Sequence, residues 1–140
     1  MKNLPSNGLS QDLRELMQSH GILPTQQRLE IAAVLFAHPK HLSADQILAI
    51  VNDRPTRPSK ATVYNTLNLF VRQGLIREVI VDPTKVFYDP NTHAHHHFYN
   101  VDTGELVDIE SGDLAIGRLP RAPAGTRAEG VDVVIRLRNC

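Results

Sequence analysis

Residues 59–89, SKATVYNTLNLFVRQGLIREVIVDPTKVFYD, change their apolar period at a single glycine. Before Gly74, the apolar side chains Val63, Leu67, Phe70 and Val71 recur at helical spacing. Ser59 stands where a helix is capped and Gly74 where one stops. After Gly74 the pattern alternates and turns at Asp82-Pro83, which predicts strands over 75–81 and 85–88. The side of this helix away from its apolar face carries Ala61, Tyr64, Asn65, Asn68 and Arg72, groups that hydrogen-bond or stack and include no acid.

Three shorter helical patterns precede it. Ser10 is placed to cap the first, with Leu13, Leu16, Met17 and His20 on one face and Gly21 as its stop. Thr25 caps a second, whose Leu29, Ala32, Ala33 and Phe36 fall at i, i+3, i+4 and i+7. Ser43 with Gln46 three residues on is a capping box, opening a third helix with Ala44, Ile47, Leu48 and Val51 inward, closed by Pro55 and Pro58. Short helices followed by a two-stranded hairpin describe the winged-helix variant of helix-turn-helix, whose last helix enters the DNA major groove. Pattern alone leaves an alternative equally open, a helical domain whose polar face is merely solvated.

Charge divides the chain although its formal net charge is +0. Between Arg54 and Arg77 lie Arg54, Arg57, Lys60, Arg72 and Arg77 and no Asp or Glu. From Lys85 onward eight acids face six Lys or Arg. A cationic first part and a mildly acidic second follow, divided here as 1–88 and 89–140. The second part offers strands over 95–99, 105–109 and 131–138, too little chain for a comfortable independent core. Pairing two copies would bury what one cannot.

That second part opens on THAHHHFYN, residues 92–100. The run is internal and interrupted by Ala94, so it is not a terminal tag. On a strand, His93, His95 and His97 share one face and His96 points to the other. Alternate residues lie roughly 7 Å apart, and two imidazoles of such a pair can lean onto one ion at about 2.0–2.1 Å per bond. Metal or haem ligation competes here with a solvated polar strand. The chain has one cysteine, Cys140, so neither an internal disulfide nor a thiolate cage is available. A reducing cytoplasm is the expected setting, and no apolar run of about 18 residues provides a membrane span.

The segments LPTQQRLEI, HLSADQI, ATVYNTLNLF with GLI close behind, and HHHFYNVDTGELVDI resemble, in order and spacing, the ferric uptake regulator (Fur) family. The resemblance runs from about Gly21 to Ile109, with a looser echo in VDVVIRLRN. Within that family the chain looks most like the iron response regulator branch. The resemblance implies an α+β protein: an N-terminal winged-helix DNA-binding domain followed by a small α/β dimerisation domain. Metal held by both parts would control the shape of the homodimer, because a ligand shifts a conformational equilibrium only through differential contacts.

Carried onto this sequence, the resemblance makes His41, Asp89, His95, His97 and Asp108 metal ligands. Three imidazoles and two carboxylates form a nitrogen and oxygen set suited to Fe, Mn or Zn. Haem is the second implied ligand, with His93, His95, His96 and His97 as candidates. Arg57 and Lys60 are expected on DNA phosphate, with Tyr64 and Asn65 at base edges or a thymine methyl. The implied function is a metal- and haem-responsive transcriptional regulator, a repressor of iron and haem metabolism genes, which binds double-stranded operator DNA as a homodimer and is not an enzyme.

The chain also departs from the family pattern. Asn100 and Thr103 stand where many relatives carry a zinc-binding C-x-x-C, so no structural zinc-thiolate site can form. SGDLAIGRLPRAPAGTRAEG replaces a long helix with a short one at most and a Pro/Gly-rich loop. Asn65 occupies a position where relatives often carry arginine, and Cys140 is not followed by the proline of a haem motif. Two other classes remain: a histidine-rich metal or haem buffer, and a metallohydrolase, for which no H-E-x-x-H places a base.

Overall fold

Thr25, Ser43 and Ser59 each begin a helix in the same way, by accepting an amide of the first turn in a side-chain oxygen. They organise a computed structural model that describes residues 6–38, 41–110 and 112–140. Helix α1 spans Ser6–Ser19, α2 Gln26–Ala37, α3 Ala44–Val51 and α4 Lys60–Arg72. At α3 the capping box is complete: Gln46 N–H donates to Ser43 Oγ at 3.3 Å and Ser43 N–H to Gln46 Oε1 at 2.8 Å. Such a cap is worth about 1 kcal/mol. Helix α1 differs from expectation because it already runs from Ser6, so Ser10 is an interior residue and not its cap.

Both expected glycine stops are formed. Gly21 and Gly74 take φ of 72° and 75°, in the left-handed region that favours glycine. Each is followed by an amide that reaches back over the last turn, Ile22 to Met17 and Leu75 to Phe70, both at 2.9 Å. The chain thus leaves α4 directly into strand β2, Arg77–Asp82, which turns into β3, Lys85–Asp89. Both are shorter at their starts or longer at their ends than the alternation alone predicts.

A further strand, β1 at Leu42–Ser43, pairs antiparallel with β3, giving the order β1-β3-β2. Its two residues carry too little periodicity to be visible in the sequence. The core beneath is built from Leu13, Met17, Leu29, Ile47, Leu67 and Phe70 among others, with Phe70, Leu67 and Ile47 fully buried. Val71 and Leu48 are only partly buried, and Thr66 is buried in α4 where the pattern had Val71. Replacing Phe70 by Ala would cost about 3–5 kcal/mol.

The chain folds as two compact units that divide after Thr92. The second holds strands β4, His97–Asn100, β5, Leu106–Asp108, and β6, Val134–Leu137, in the order β5-β4-β6. The β4–β5 pairing is antiparallel and the β4–β6 pairing parallel. Residues 112–133 form no helix or strand, and Ser111, where the sequence allowed a short helix to begin, lies outside the described residues. Asp89, expected to open the second part, is the last residue of β3 in the first unit.

Candidate functional site

In the first unit, β1 is what makes a site. Leu42 faces Tyr88 and Ser43 faces Phe87 across the β1–β3 pair, so one step further His41 comes opposite Asp89. His41 Nδ1 lies 3.6 Å from Asp89 Oδ1. The Asp89 side chain is buried and also accepts the Asn91 amide at 2.9 Å. A buried carboxylate is tolerated only with such partners.

In the second unit, His97 and Asp108 are register partners on β4 and β5 and share one sheet face. His97 Nε2 lies 3.1 Å from Asp108 Oδ1, and His95 Nε2 lies 3.3 Å from the same oxygen. The rings of His95 and His97 have centroids 4.5 Å apart and are tilted by 57°. The three offer ligand atoms all within 4.8 Å of one another. Two ligands each about 2.0–2.2 Å from one ion, at angles near 90–110°, stand roughly 3.0–3.5 Å apart. The spacing of these nitrogen and oxygen atoms therefore fits a divalent ion, in a donor set without sulfur.

The geometry corrects the picture of a histidine strand. β4 begins only at His97, so His93, His95 and His96 do not alternate along it. His95 reaches His97 from the segment before the strand, its Nδ1 close to the His93 carbonyl at 2.6 Å. His93 is exposed. His96 serves the fold: its Nδ1 accepts the Val133 amide at 3.0 Å, which leaves the proton of a neutral ring on Nε2. To ligate haem iron through Nε2, His96 would have to lose that proton or break the bond to Val133.

The expected DNA-facing residues sit at and before the start of α4. Lys60 is its first residue, and Arg57 and Asn65 are exposed. Arg57 has φ of 43°, a left-handed conformation that is strained for a side chain of its kind. Tyr64 donates its hydroxyl to Asp45 Oδ1 of α3 at 2.9 Å. That carboxylate holds the phenol proton and, with burial, raises the Tyr64 pKa above the ordinary tyrosine value. A groove beside α4 is lined by Gln26, Gln27, Arg28, Asn65 and Arg72, so the amino-terminal end of α2 flanks the same face.

Sequence reasoning missed Asp45, Arg28 and the strand that carries His41 to Asp89. Only the capping signal before α2 pointed towards Arg28, and nothing local pointed to the contact between Asp45 and Tyr64.

Among the described residues no helix is long and apolar enough to cross a membrane. The chain matches the model of the "Ferric uptake regulator family" over residues 19–124. It is 31% identical over 106 residues to the peroxide-responsive repressor PerR of Staphylococcus aureus, a match covering 76% of this chain and 71% of that protein. Its fold is similar to the ferric uptake regulator of Vibrio cholerae, at a TM-score of 0.70 and 20% identity, covering 91% of this chain and 100% of that one. It is also similar to the Helicobacter pylori regulator, at a TM-score of 0.67 and 18% identity, covering 99% and 95%. The family match and the Staphylococcus aureus relative point to a regulator and not an enzyme, which sets the metallohydrolase reading aside. The chain belongs to the ferric uptake regulator family of metal-responsive, DNA-binding transcriptional regulators.

Proposed function

We propose that this protein is a transcriptional repressor whose operator affinity is set by one divalent ion, Fe, Mn or Zn, held by His41, Asp89, His95, His97 and Asp108. The observation that carries the reading is the spacing of His95, His97 and Asp108: the two imidazole nitrogens lie 3.3 and 3.1 Å from one Asp108 oxygen, which suits a shared ion. The His41–Asp89 pair supplies donors of the same chemistry from the first unit. An ion taking ligands from both would couple the second unit, proposed to sense metal, to the first, proposed to bind DNA. Bound there, the metal would supply charge and geometry rather than chemistry. The assignment to repression is supported by the name of the Staphylococcus aureus relative.

We place Arg57 and Lys60 on phosphates and Tyr64 and Asn65 at base edges, supported by the exposure of Arg57, Lys60 and Asn65 and the partial exposure of Tyr64, on α4 and just before it. The homodimer is supported by the other face of the second sheet. There Phe98 stands in register with Val107 on one side and Ile135 on the other, and Val107 and Ile135 are 45% and 37% exposed. A second copy of this chain would cover that apolar row.

Membership of the iron response regulator branch, with control of iron and haem genes and a haem response, is the finer form of this proposal. His93, His95 and His97 are the haem donors it would use, with His96 available only at the cost of its bond to Val133.

The test is equilibrium metal binding and operator affinity of the wild type, Asp108→Asn and His95→Gln, with Mn2+, with haem followed by absorbance, and with neither. Weakened metal binding with loss of the metal effect on DNA supports the reading. A full metal response in both variants overturns it.

A further inference from the structure

Tyr64 and Asp45 meet across 19 residues of sequence, α4 to α3. Asp45 lies in the first turn of α3, where the positive end of the helix dipole favours its ionised form. The bond from the phenol to this carboxylate is charge-assisted, roughly twice as strong as a neutral one. Lys60 Nζ stands 5.8 Å from the centroid of the Tyr64 ring, which it holds from a second direction.

A phenol hydroxyl ordinarily both donates and accepts. Here the proton is engaged, and what Tyr64 has left to offer is oxygen lone pairs and a ring. In the major groove guanine presents two acceptors, N7 and O6, while adenine and cytosine present amino donors and thymine a methyl group. Lone pairs attract the amino groups, the ring suits the methyl, and the guanine edge is opposed by like polarity.

We propose that Asp45 is a specificity-determining positioning residue: by holding the Tyr64 hydroxyl it restricts Tyr64 to acceptor and apolar contacts and excludes guanine at the base it faces. The inference rests on α4 being the recognition helix, and Asp45 needs no DNA contact of its own. Its charge also repels phosphate, an effect that must be separated from the steering of Tyr64. Asp45→Asn separates them, since the amide keeps an acceptor oxygen and loses the charge.

The experiment selects duplexes from a randomised pool with the full-length protein and Mn2+, for the wild type, Tyr64→Ala, Asp45→Ala and Asp45→Asn. Circular dichroism verifies that each variant is folded. Tyr64→Ala should flatten one position in each half-site, which identifies the base that Tyr64 faces. At that position guanine should be depleted about tenfold in the wild type. Asp45→Ala should abolish the depletion, and Asp45→Asn should retain it while binding all duplexes more tightly. Guanine depletion that persists in Asp45→Ala overturns the inference, as does its equal loss in the Ala and Asn variants. If Tyr64→Ala flattens no position, the recognition-helix contact itself fails and the role of Asp45 falls with it.

Discussion

Thr56, in the loop between α3 and α4, donates its backbone amide at 3.4 Å and its hydroxyl to the carboxylate of Glu30 on α2. Glu30 is buried, so this pairing satisfies a carboxylate that would otherwise be costly. It also fixes the loop one residue before Arg57. Thr56→Val is expected to destabilise the protein by about 1–3 kcal/mol in urea denaturation at neutral pH. A change below about 0.5 kcal/mol would show that water replaces the hydroxyl without loss.

Arg57 itself separates folding from binding. At φ 43°, Arg57→Gly relieves strain while adding freedom to the unfolded chain, so stability should stay within about 1 kcal/mol of wild type. Arg57→Val, branched at Cβ, should lose about 1–2 kcal/mol. Both should weaken binding to all DNA sequences alike and lower the salt slope by about 1. An unchanged slope would remove Arg57 from the phosphate contacts.

At the proposed metal donors, exposure decides which variants are informative. His97 is fully buried, and its truncation to Ala opens a cavity in the small sheet. Asp108 is 48% exposed, so Asp108→Asn should leave the fold unchanged by circular dichroism. Metal affinity should nevertheless fall by about tenfold or more, since the amide neither carries charge nor binds both ways. Unaltered affinity in a direct titration would place the ion elsewhere.

The apolar row of the second sheet makes a prediction about assembly. Ile135→Lys puts a charge at one end of it, beside Phe98, which burial against another copy would penalise by several kcal/mol. Sedimentation at micromolar concentration should show dimer for wild type and monomer for the variant. A wild-type monomer, or a variant that remains dimeric, contradicts the use of this face.

The end of β6 should respond to acid. Asp102 accepts the Asn139 amide at 2.8 Å and the Arg138 guanidinium at 3.0 Å, and these hold its carboxyl below the ordinary aspartate value. A pKa lowered by folding contributes stability above the ordinary carboxylate range and loses it as pH falls through the lowered value. The neighbouring amide of Val101, bonded to Leu137, should therefore exchange faster in acid than intrinsic rates require and show no such excess near neutrality. Asp102→Asn should remove that difference.

The helices were legible because their signals are local. Thr25, Ser43 and Ser59 cap where a side-chain oxygen precedes an apolar period, and Gly21 and Gly74 stop where a left-handed residue is needed. The candidate site was visible in the sequence only as residue types, which the resemblance grouped. Its geometry was not. β1 is too short to have a period, and His95 reaches its neighbours from outside the strand that alternation assigned to it. The contacts from Tyr64 to Asp45 and from Thr56 to Glu30 join residues 19 and 26 apart in sequence, a distance over which no pattern in one sequence is informative.

The shortness of β1 has a mechanical side. Ser43 ends that strand and caps α3 at once, and Asp45 follows two residues later. From Leu42 to Asp45 every residue belongs to a strand or a helix, without a loop to take up slack. A pull on the imidazole of His41 is therefore felt within four residues by the side chain that holds Tyr64. The lever between His41 and the face of α4 is one of the shortest the fold could build, with strand passing into helix and no loop between them.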